Sequence, residues 1–233
     1  ETIEDPKIRD WALSYYETQH EHMEEDAVIC QLYAQKNQSL VDIGCVPGIT
    51  LVGLKNLGFS VSGVDIAPER FSQLFKKNDI TVHKTNIETQ ALPYVSDSVD
   101  VVLLSEVFEH MRIDLIHTIE EIHRILKKDG ILILRTPNTL EFLKTMKRLL
   151  RKEGLNVYSQ FMKLRQYGHM GHIHEYTEKE VSHFLTQLHF HQEKIFYTGI
   201  TKETTSFAGK IQKLIHLLIP RMRRSMIFIF KKQ

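Results

Sequence analysis

The chain has 233 residues, of which 42% are apolar and 25% charged, and its formal net charge at pH 7 is +1. This composition excludes a disordered or fibrous chain and predicts one globular domain with a buried core. Its two cysteines, Cys30 and Cys45, exclude a disulfide framework and a Cys-x-x-Cys zinc site. No run of residues has the length and apolarity of a membrane span, and no secretory signal is recognisable, so we expect a cytoplasmic protein.

The order of the elements predicts an α/β fold with a doubly wound, mostly parallel, seven-stranded sheet. Residues 1–37 are predicted to form helices that cover the sheet. Short apolar runs rich in β-branched residues then alternate with amphipathic stretches, a pattern typical of strands buried on both faces with helices between them. The predicted strands are residues 39–43, 60–65, 80–84, 99–105, 130–135, 190–198 and 225–231.

An insertion follows the fifth predicted strand. About forty residues separate that strand from Thr177, where a capping box begins a helix, and this is too long for a simple connection. We interpret the insertion as a basic cap whose first helix, from Phe142, has an apolar and a basic face. We favour a surface helix that covers the core, and a membrane-contacting or substrate-gating surface is the alternative. The single domain then divides into a helical cover (1–37), a cofactor-binding core (38–138), the cap (139–170), and a C-terminal helix with two strands (171–233).

The charge of the chain is uneven. Residues 1–38 hold nine acidic and three basic residues, whereas residues 210–232 hold seven basic and no acidic residues. Within this basic segment, four apolar side chains follow helical spacing: Ile211, Leu214, Ile215 and Leu218. Two interpretations are open. The apolar stripe packs on the sheet between the last two strands, which we favour, or it contacts an anionic membrane with the help of the basic residues.

The stretch V-D-I-G-C-V-P-G-I-T, residues 41–50, is typical of a strand-turn-helix that approaches a nucleotide-type cofactor. Gly44 and Gly48 permit left-handed backbone and leave no Cβ in the way of a ligand. Asp65 ends the next predicted strand, 21 residues after Gly44, where a carboxylate can accept both hydroxyls of a ribose. After the third strand, Asn86-Ile87-Glu88 offers an amide and an apolar side chain to an adenine ring. The G-x-G-x-x-G spacing of dinucleotide-dependent dehydrogenases is absent, which disfavours that class.

This ordered set resembles class I S-adenosylmethionine (SAM)-dependent methyltransferases over residues 38–135. Their first motif is an acid followed by x-G-x-G-x-G, and Val46 stands at its middle glycine. The resemblance implies a SAM-dependent methyltransferase in which Asp65 binds the ribose and Asn86 meets the adenine amino group. Valine is accommodated there if its side chain points away from the cofactor or if the turn shifts slightly. The alternative is weakened cofactor binding and a catalytically inactive SAM-binding methyltransferase-like protein. The cofactor-binding residues implied are Asp42, Gly44, Cys45, Gly48, Asp65, Ile66, Asn86, Ile87 and Ser105.

The segment S-E-V-F-E-H-M, residues 105–111, follows the fourth strand at the edge of the sheet where α/β proteins place their ligands. In a helical turn, Glu106, Glu109 and His110 share one face. His172 lies much further along, and His174 would point the same way in an extended segment. Carboxylates and imidazoles together suit Mg²⁺, Mn²⁺ or Zn²⁺. A metal would lower the pKa of an acceptor hydroxyl; without one, His110 acts as general base, or the histidines are ordinary core or surface residues.

The arrangement E-x-x-E-H, with a later His before an aromatic residue and Thr, resembles two branches of the family: ubiquinone-biosynthesis O-methyltransferases and small-RNA terminal 2′-O-methyltransferases. In the RNA branch this set binds a divalent ion, and it carries over to Glu106, Glu109, His110 and His172, with His174 as the alternative fourth ligand. The catalytic residues implied are His110 and Glu109. We expect O-methylation of a small or lipidic acceptor, because the cap is similar to the membrane-contacting insertion of the quinone branch. RNA 2′-O-methylation is the alternative, disfavoured because no RNA-binding module is recognisable.

Overall fold

The computed structural model describes residues 6–150, 156–167, 171–172, 174–200 and 205–233. Parts of the predicted helical cover and cap, residues 1–5, 151–155 and 168–170, lie outside the described residues. At the centre is a seven-stranded sheet in the order β3-β2-β1-β4-β5-β7-β6. The strands are β1 (Ser39–Ile43), β2 (Ser60–Asp65), β3 (Thr81–Lys84), β4 (Val99–Ser105), β5 (Leu126–Pro137), β6 (Phe190–Thr198) and β7 (Ser225–Lys232). Strands β1 to β5 pair in parallel and β7 is antiparallel to both its neighbours, which confirms the predicted sheet.

Helices cover both faces of this sheet. Two of them begin where the sequence supplies a cap: Asp114 accepts a hydrogen bond from His117 N (2.8 Å), and Thr177 and Glu180 form the predicted capping box. The N-terminal cover is one long helix. In the described residues the helices are α1 (Pro6–Tyr33), α2 (Ile49–Asn56), α3 (Ser72–Lys77), α4 (Leu115–Ile125), α5 (Phe142–Leu149), α6 (Val157–Tyr167), α7 (Glu178–Gln187) and α8 (Phe207–Leu218).

The core lies on both faces of the central strands, which is why their sequence is apolar without alternation. On one face, Val102 and Leu104 of β4 join a cluster with Ile119 of α4. On the other face, Leu103 joins a second cluster with Leu54 of α2. All of these side chains are buried. Strand β4 is therefore held from both sides, and the position of its carboxyl end is fixed.

Helix α1 is tied to the sheet by buried ion pairs. Arg135 of β5 is completely buried, and its Nε lies 2.8 Å from Asp26 Oδ1 while its Nη1 lies 2.9 Å from Glu25. Ser105 at the end of β4 donates a hydrogen bond to Asp26 Oδ2 (2.6 Å). Buried charges are tolerated only where opposite charges and hydrogen-bond donors surround them. This network fixes the second half of α1 and so sets the course of its first half across the carboxyl edge of the sheet.

Helix α8 does not pack as we favoured from the sequence. The prediction that its apolar stripe lies on the sheet is wrong, because Leu214 and Leu218 are 55% and 72% exposed. The buried residues of α8 are Gln212 and His216, so the helix turns its polar side inward. No described helix is long and apolar enough to cross a bilayer.

Candidate active site

A cavity of about 330 Å³, the main cavity, opens at the carboxyl ends of β1, β2 and β4 beneath the first half of α1. A smaller space of about 30 Å³ adjoins it and shares Gly44 and Ser105 with it. The main cavity is lined by six of the predicted cofactor residues: Gly44, Asp65, Ile66, Asn86, Ile87 and Ser105. The smaller space is lined by the other three, Asp42, Cys45 and Gly48. The structure thus brings all nine together, and their contacts with a cofactor stay a prediction.

The glycine turn is left-handed at two positions. Gly44 has φ 76° and Gly48 has φ 91°, and a Cβ on either would overlap a neighbouring side chain, Val107 or Phe75. Val46 does not have a positive φ. Its side chain packs on an apolar cluster that includes Phe71, although it also lines the main cavity. The turn therefore requires glycine at the two positions where the sequence retains it, and not at Val46.

Asp65 is held at the edge of the main cavity by backbone donors. Its Oδ1 accepts a hydrogen bond from Ala67 N (2.8 Å) and its Oδ2 accepts one from Val46 N (3.1 Å). A carboxylate has about four acceptor sites, so the group can still accept two ribose hydroxyls. Ile66 is 42% exposed beside it, and Ile87 lines the same cavity. These two residues offer an apolar surface of the kind that covers an adenine ring.

The segment after β3 serves partly as a structural anchor. Asn86 Oδ1 accepts a hydrogen bond from Glu88 N (3.1 Å), which fixes the amide group in a local turn. Glu88 is buried, and its Oε1 accepts hydrogen bonds from the backbone N of Arg112 and of Ile113, both at 2.6 Å. Glu88 thus holds the loop after β4, of which Arg112 lines the main cavity.

Three of the four predicted metal-binding residues come together at the end of β4. Glu109 and His110 lie in a short 3-10 turn, Phe108–His110. Ligand atoms of Glu109, His110 and His172 all lie within 4.8 Å of one another. The two imidazole ring centroids are 4.9 Å apart, and His110 Nδ1 lies 3.0 Å from the carbonyl oxygen of Gly171. A proton on Nδ1 would be donated to that oxygen and would leave Nε2 as the basic nitrogen.

The other two candidate ligands lie outside this group. Glu106 has φ 55°, so the chain turns sharply there, and the shared helical face predicted for it with Glu109 and His110 is not formed. Its Oε1 lies 3.6 Å from Nδ1 of His22. His174, the alternative fourth ligand, is half-exposed and packs its ring on Tyr176 at a centroid distance of 4.5 Å. Neither Glu106 nor His174 is in the group formed by Glu109, His110 and His172, and a part for either of them in a metal site stays a prediction.

The carboxyl groups of Glu106 and Glu109 are buried near each other. Burial, and then the charge of Glu106, raise the pKa of Glu109 well above its usual range. Burial also raises the pKa of Glu106, although the nearby guanidinium of Arg135 opposes the shift. The two carboxyls also hydrogen-bond to each other, as a protonated carboxyl and a carboxylate do. The grouped carboxylate and imidazole atoms of Glu109, His110 and His172 are ligands that suit a divalent ion, so the residues present fit one.

Several residues of the cavity wall were missed by the sequence reasoning. One face of α1 lines the main cavity with Trp11, Tyr15, Thr18 and Gln19, and from the cap come Gln160 and Lys163. The residues of α1 follow helical spacing and were detectable as a stripe. Burial, and then the charge of Glu106, raise the pKa of Tyr15, so the phenol stays protonated. Gln160 and Lys163 belong to no motif.

Comparisons with known proteins fit this geometry. The profile described as a methyltransferase domain matches residues 19–191. Ubiquinone biosynthesis O-methyltransferase from Haemophilus ducreyi is 30% identical over 109 residues, which are 43% of this chain and 46% of that protein. The same enzyme from Pelagibacter ubique is 32% identical over 106 residues, 44% of this chain and 43% of that protein. The chain thus spans less than half the length of these curated relatives.

Solved structures share the fold over nearly the whole chain. A chain from the Haloferax volcanii complex of the Trm112 methyltransferase activator with a methyltransferase has a TM-score of 0.67, 18% identity and 99% coverage of both chains. A SAM-dependent methyltransferase from Thermotoga maritima has a TM-score of 0.66, 17% identity and 97% coverage of both. The Burkholderia thailandensis 1,6-didemethyltoxoflavin-N1-methyltransferase, solved with S-adenosylhomocysteine (SAH), has a TM-score of 0.60, 14% identity, and coverage of 97% of this chain and 87% of that one. At these identities the similarity shows the fold alone.

Proposed function

The chain belongs to the methyltransferase domain family and is a SAM-dependent methyltransferase by family and fold, and on that premise we propose that it methylates an oxygen atom of a small or lipidic acceptor. One observation carries the proposal. His110 and His172 line the same cavity as Gly44 and Asp65, and Glu109 lies beside the two imidazoles. A group that can handle a hydroxyl proton in the cavity of the predicted cofactor residues supports the proposal.

The cofactor half of the proposal rests on backbone geometry. The Gly44–Gly48 turn would hold the methionine part of SAM, Asp65 would accept the ribose hydroxyls, and Ile66 and Ile87 would cover the adenine. The sulfonium of SAM is already a good leaving group, so the chain needs no acid at the donor. Its task is to hold the acceptor oxygen in line with the methyl carbon, and such positioning supplies about 7 to 11 kcal/mol of catalysis.

The acceptor half supplies the means to remove a proton. A divalent ion would be held by Glu109, His110 and His172, where it would lower the pKa of an acceptor hydroxyl. In the absence of an ion, Nε2 of His110 is the general base, with the ring oriented by Gly171 O. The metal route favours an oxygen acceptor, because a divalent ion binds and activates a hydroxyl. A general base alone would also serve an alkylamine, which is protonated at neutral pH and must lose that proton before it accepts a methyl group.

The cap supports an acceptor with an apolar part. Gln160 and His172 line the main cavity and also a second cavity of about 470 Å³. The second cavity is lined on its apolar side by Leu140, Val157 and Phe161. An acceptor whose hydroxyl lies near His172 therefore has an apolar space directly behind it. This favours a lipidic acceptor, and such an acceptor would bring the enzyme to the surface of a membrane.

An acceptor panel tests the proposal. The protein is incubated with SAM and, in separate reactions, with catechol, long-chain alkylated catechols, an alkylamine and a short single-stranded RNA, and SAH release is measured. We expect turnover with a hydroxyl acceptor and a preference for the alkylated catechols. Turnover with the amine alone would overturn oxygen as the acceptor atom, and turnover with RNA alone would favour the RNA branch. SAH binding without turnover on any acceptor would contradict the catalytic assignment and leave a SAM-binding protein.

A further inference from the structure

Helix α8 has the reverse of the usual arrangement for a surface helix. Such helices normally bury an apolar stripe and expose polar residues. In α8 the buried side chains are Gln212 and His216. Phe207, Leu214 and Leu218 are 79%, 55% and 72% exposed, and Leu217 and Ile219 are also exposed. The helix therefore presents a continuous apolar face to its surroundings, which is uncommon in a protein that contacts only water.

Specific polar contacts fix this orientation. Gln212 Nε2 donates a hydrogen bond to Glu141 Oε1 (2.8 Å), and His216 Nε2 lies 3.8 Å from the same oxygen. Glu141 is itself buried, and Arg223 Nε donates to the carbonyl oxygen of His216 (2.8 Å). If α8 rotated to bury its leucines, Glu141 would lose these partners and remain buried as a charge. The exposure of the apolar face is thus built into the packing of the helix.

The neighbouring helix extends the same surface. Helix α5 packs beside α8 and ends in Leu149 and Leu150, which are 70% and 66% exposed. Arg148 of α5 also lines the second cavity, so the surface adjoins the proposed space for a lipidic acceptor. We call the exposed apolar residues of α8 and of the end of α5, with Ile219, the α8 surface.

The chain segments that form the α8 surface carry only basic charges, although Nε of Arg221 also lies 3.7 Å from Oε2 of Glu178. Residues 142–150 and 205–224 contain no acidic residue. Lys147, Lys210 and Arg221 are exposed at its edges. A second copy of the chain would bring basic residues against basic residues. An anionic bilayer offers an apolar interior for the leucines and negative headgroups for the surrounding cations.

We propose that the α8 surface docks on an anionic membrane leaflet, with the apolar face of α8 among the acyl chains and the basic residues on the headgroups. The proposal concerns the partner of the protein and not the reaction. It rests on the α8 surface alone and does not depend on the proposed methyl transfer. Arg223 is not among the basic residues that we assign to the headgroups, because its guanidinium donates hydrogen bonds to His216 O and Tyr197 O.

Vesicle flotation tests the proposal. The probes are vesicles of phosphatidylcholine alone and of phosphatidylcholine mixed with phosphatidylglycerol. The test variant is Leu214→Ser with Leu218→Ser, and the matched control is Leu32→Ser with Val95→Ser, two exposed apolar residues outside the α8 surface that are 67% and 78% exposed. A third variant, Lys210→Gln with Arg221→Gln, tests the charges. SAH affinity is measured for every variant.

The wild type should bind the anionic vesicles and should bind neutral vesicles at least about tenfold more weakly. The Leu214/Leu218 variant should lose at least about tenfold in binding, while the control should stay within about twofold. Unchanged SAH affinity separates this result from any failure of the cofactor site. The proposal is overturned if the wild type does not float at low salt, or if the leucine and charge variants bind like the wild type. If the wild type does not bind vesicles but forms a dimer, and the Leu214/Leu218 variant is monomeric, the surface would be assigned to self-association instead.

Discussion

The two ends of the main cavity are built differently. The end near Gly44 and Asp65, which we call the cofactor half, is formed by backbone turns, whereas the end near His110 and His172, the acceptor half, is formed by ionisable side chains. In the cofactor half, Gly44 and Gly48 supply left-handed backbone, and backbone N–H groups orient Asp65. In the acceptor half, the partly buried Glu106 lines the cavity and the fully buried Glu109 lies beside it, and burial raises the pKa of both. The cofactor half should tolerate a change of side chain that leaves the backbone conformation unaltered, as the valine at position 46 leaves it. The second half should respond strongly to any change of charge.

The largest effect, on stability, should follow removal of the buried guanidinium of Arg135. Arg135→Met leaves Asp26 and Glu25 without their partner, and breaking a buried ion pair costs about 3 to 5 kcal/mol. Urea unfolding monitored by circular dichroism measures the free energy of unfolding. Arg221→Met is the control, because the side chain of Arg221 is 76% exposed and its loss should cost less than about 0.5 kcal/mol. Equal stabilities of the two variants would refute a structural role for the buried pairs.

The next effect should appear in catalysis rather than in cofactor binding. Glu109→Gln keeps the shape of a fully buried side chain and removes its ability to ionise, which is needed to hold a cation or to transfer a proton. We expect turnover to fall at least about 100-fold, the scale of a lost acid-base or ligand group, with SAH affinity unchanged. Initial rates and calorimetry on the same preparation separate the two quantities. If Glu109→Gln works at the wild-type rate, the division between the two halves fails.

Removal of metal should also affect the acceptor half alone. Exhaustive dialysis against EDTA should lower the initial rate at least about tenfold and leave SAH binding intact, because the grouped ligand atoms belong to Glu109, His110 and His172, which are not among the predicted cofactor residues. Added Mg²⁺, Mn²⁺ or Zn²⁺ should restore the rate. A chelated enzyme that keeps its full rate would remove the ion from the mechanism. His110→Gln would then be the variant expected to lose activity.

The smallest effect should come from Val46→Gly. Because Val46 does not have a positive φ, glycine is not required there, and we expect SAH affinity to change less than about threefold. Gly44→Ala is the contrasting variant. Its Cβ would overlap Val107 in a left-handed conformation, so it should weaken SAH binding or stability by at least about 1 kcal/mol. A gain of about tenfold in affinity for Val46→Gly would show that valine impairs the site.

The two halves also differ in how far the sequence predicted them. Strands, the glycine turn and Asp65 follow from local patterns, since short-range periodicity and turn chemistry determine them. The left-handed backbone of Glu106 has no signal in the sequence, because a glutamate rarely adopts it. The orientation of α8 depends on Glu141, which is 71 residues from Gln212 in the chain, and periodicity alone suggested the opposite face. The orientation of α8 is thus set by contacts between segments that are far apart in the chain, and local sequence patterns do not report such contacts.

The central claim is that the Gly44–Gly48 turn and Asp65 form a working SAM site despite Val46. Calorimetric titration of SAH into the wild type and into Asp65→Ala tests it most directly. The account predicts binding to the wild type and a loss of at least about 1.5 kcal/mol in the variant, the scale of hydrogen bonds to a charged group. Equal affinities for the two proteins, or no binding to either, would contradict it.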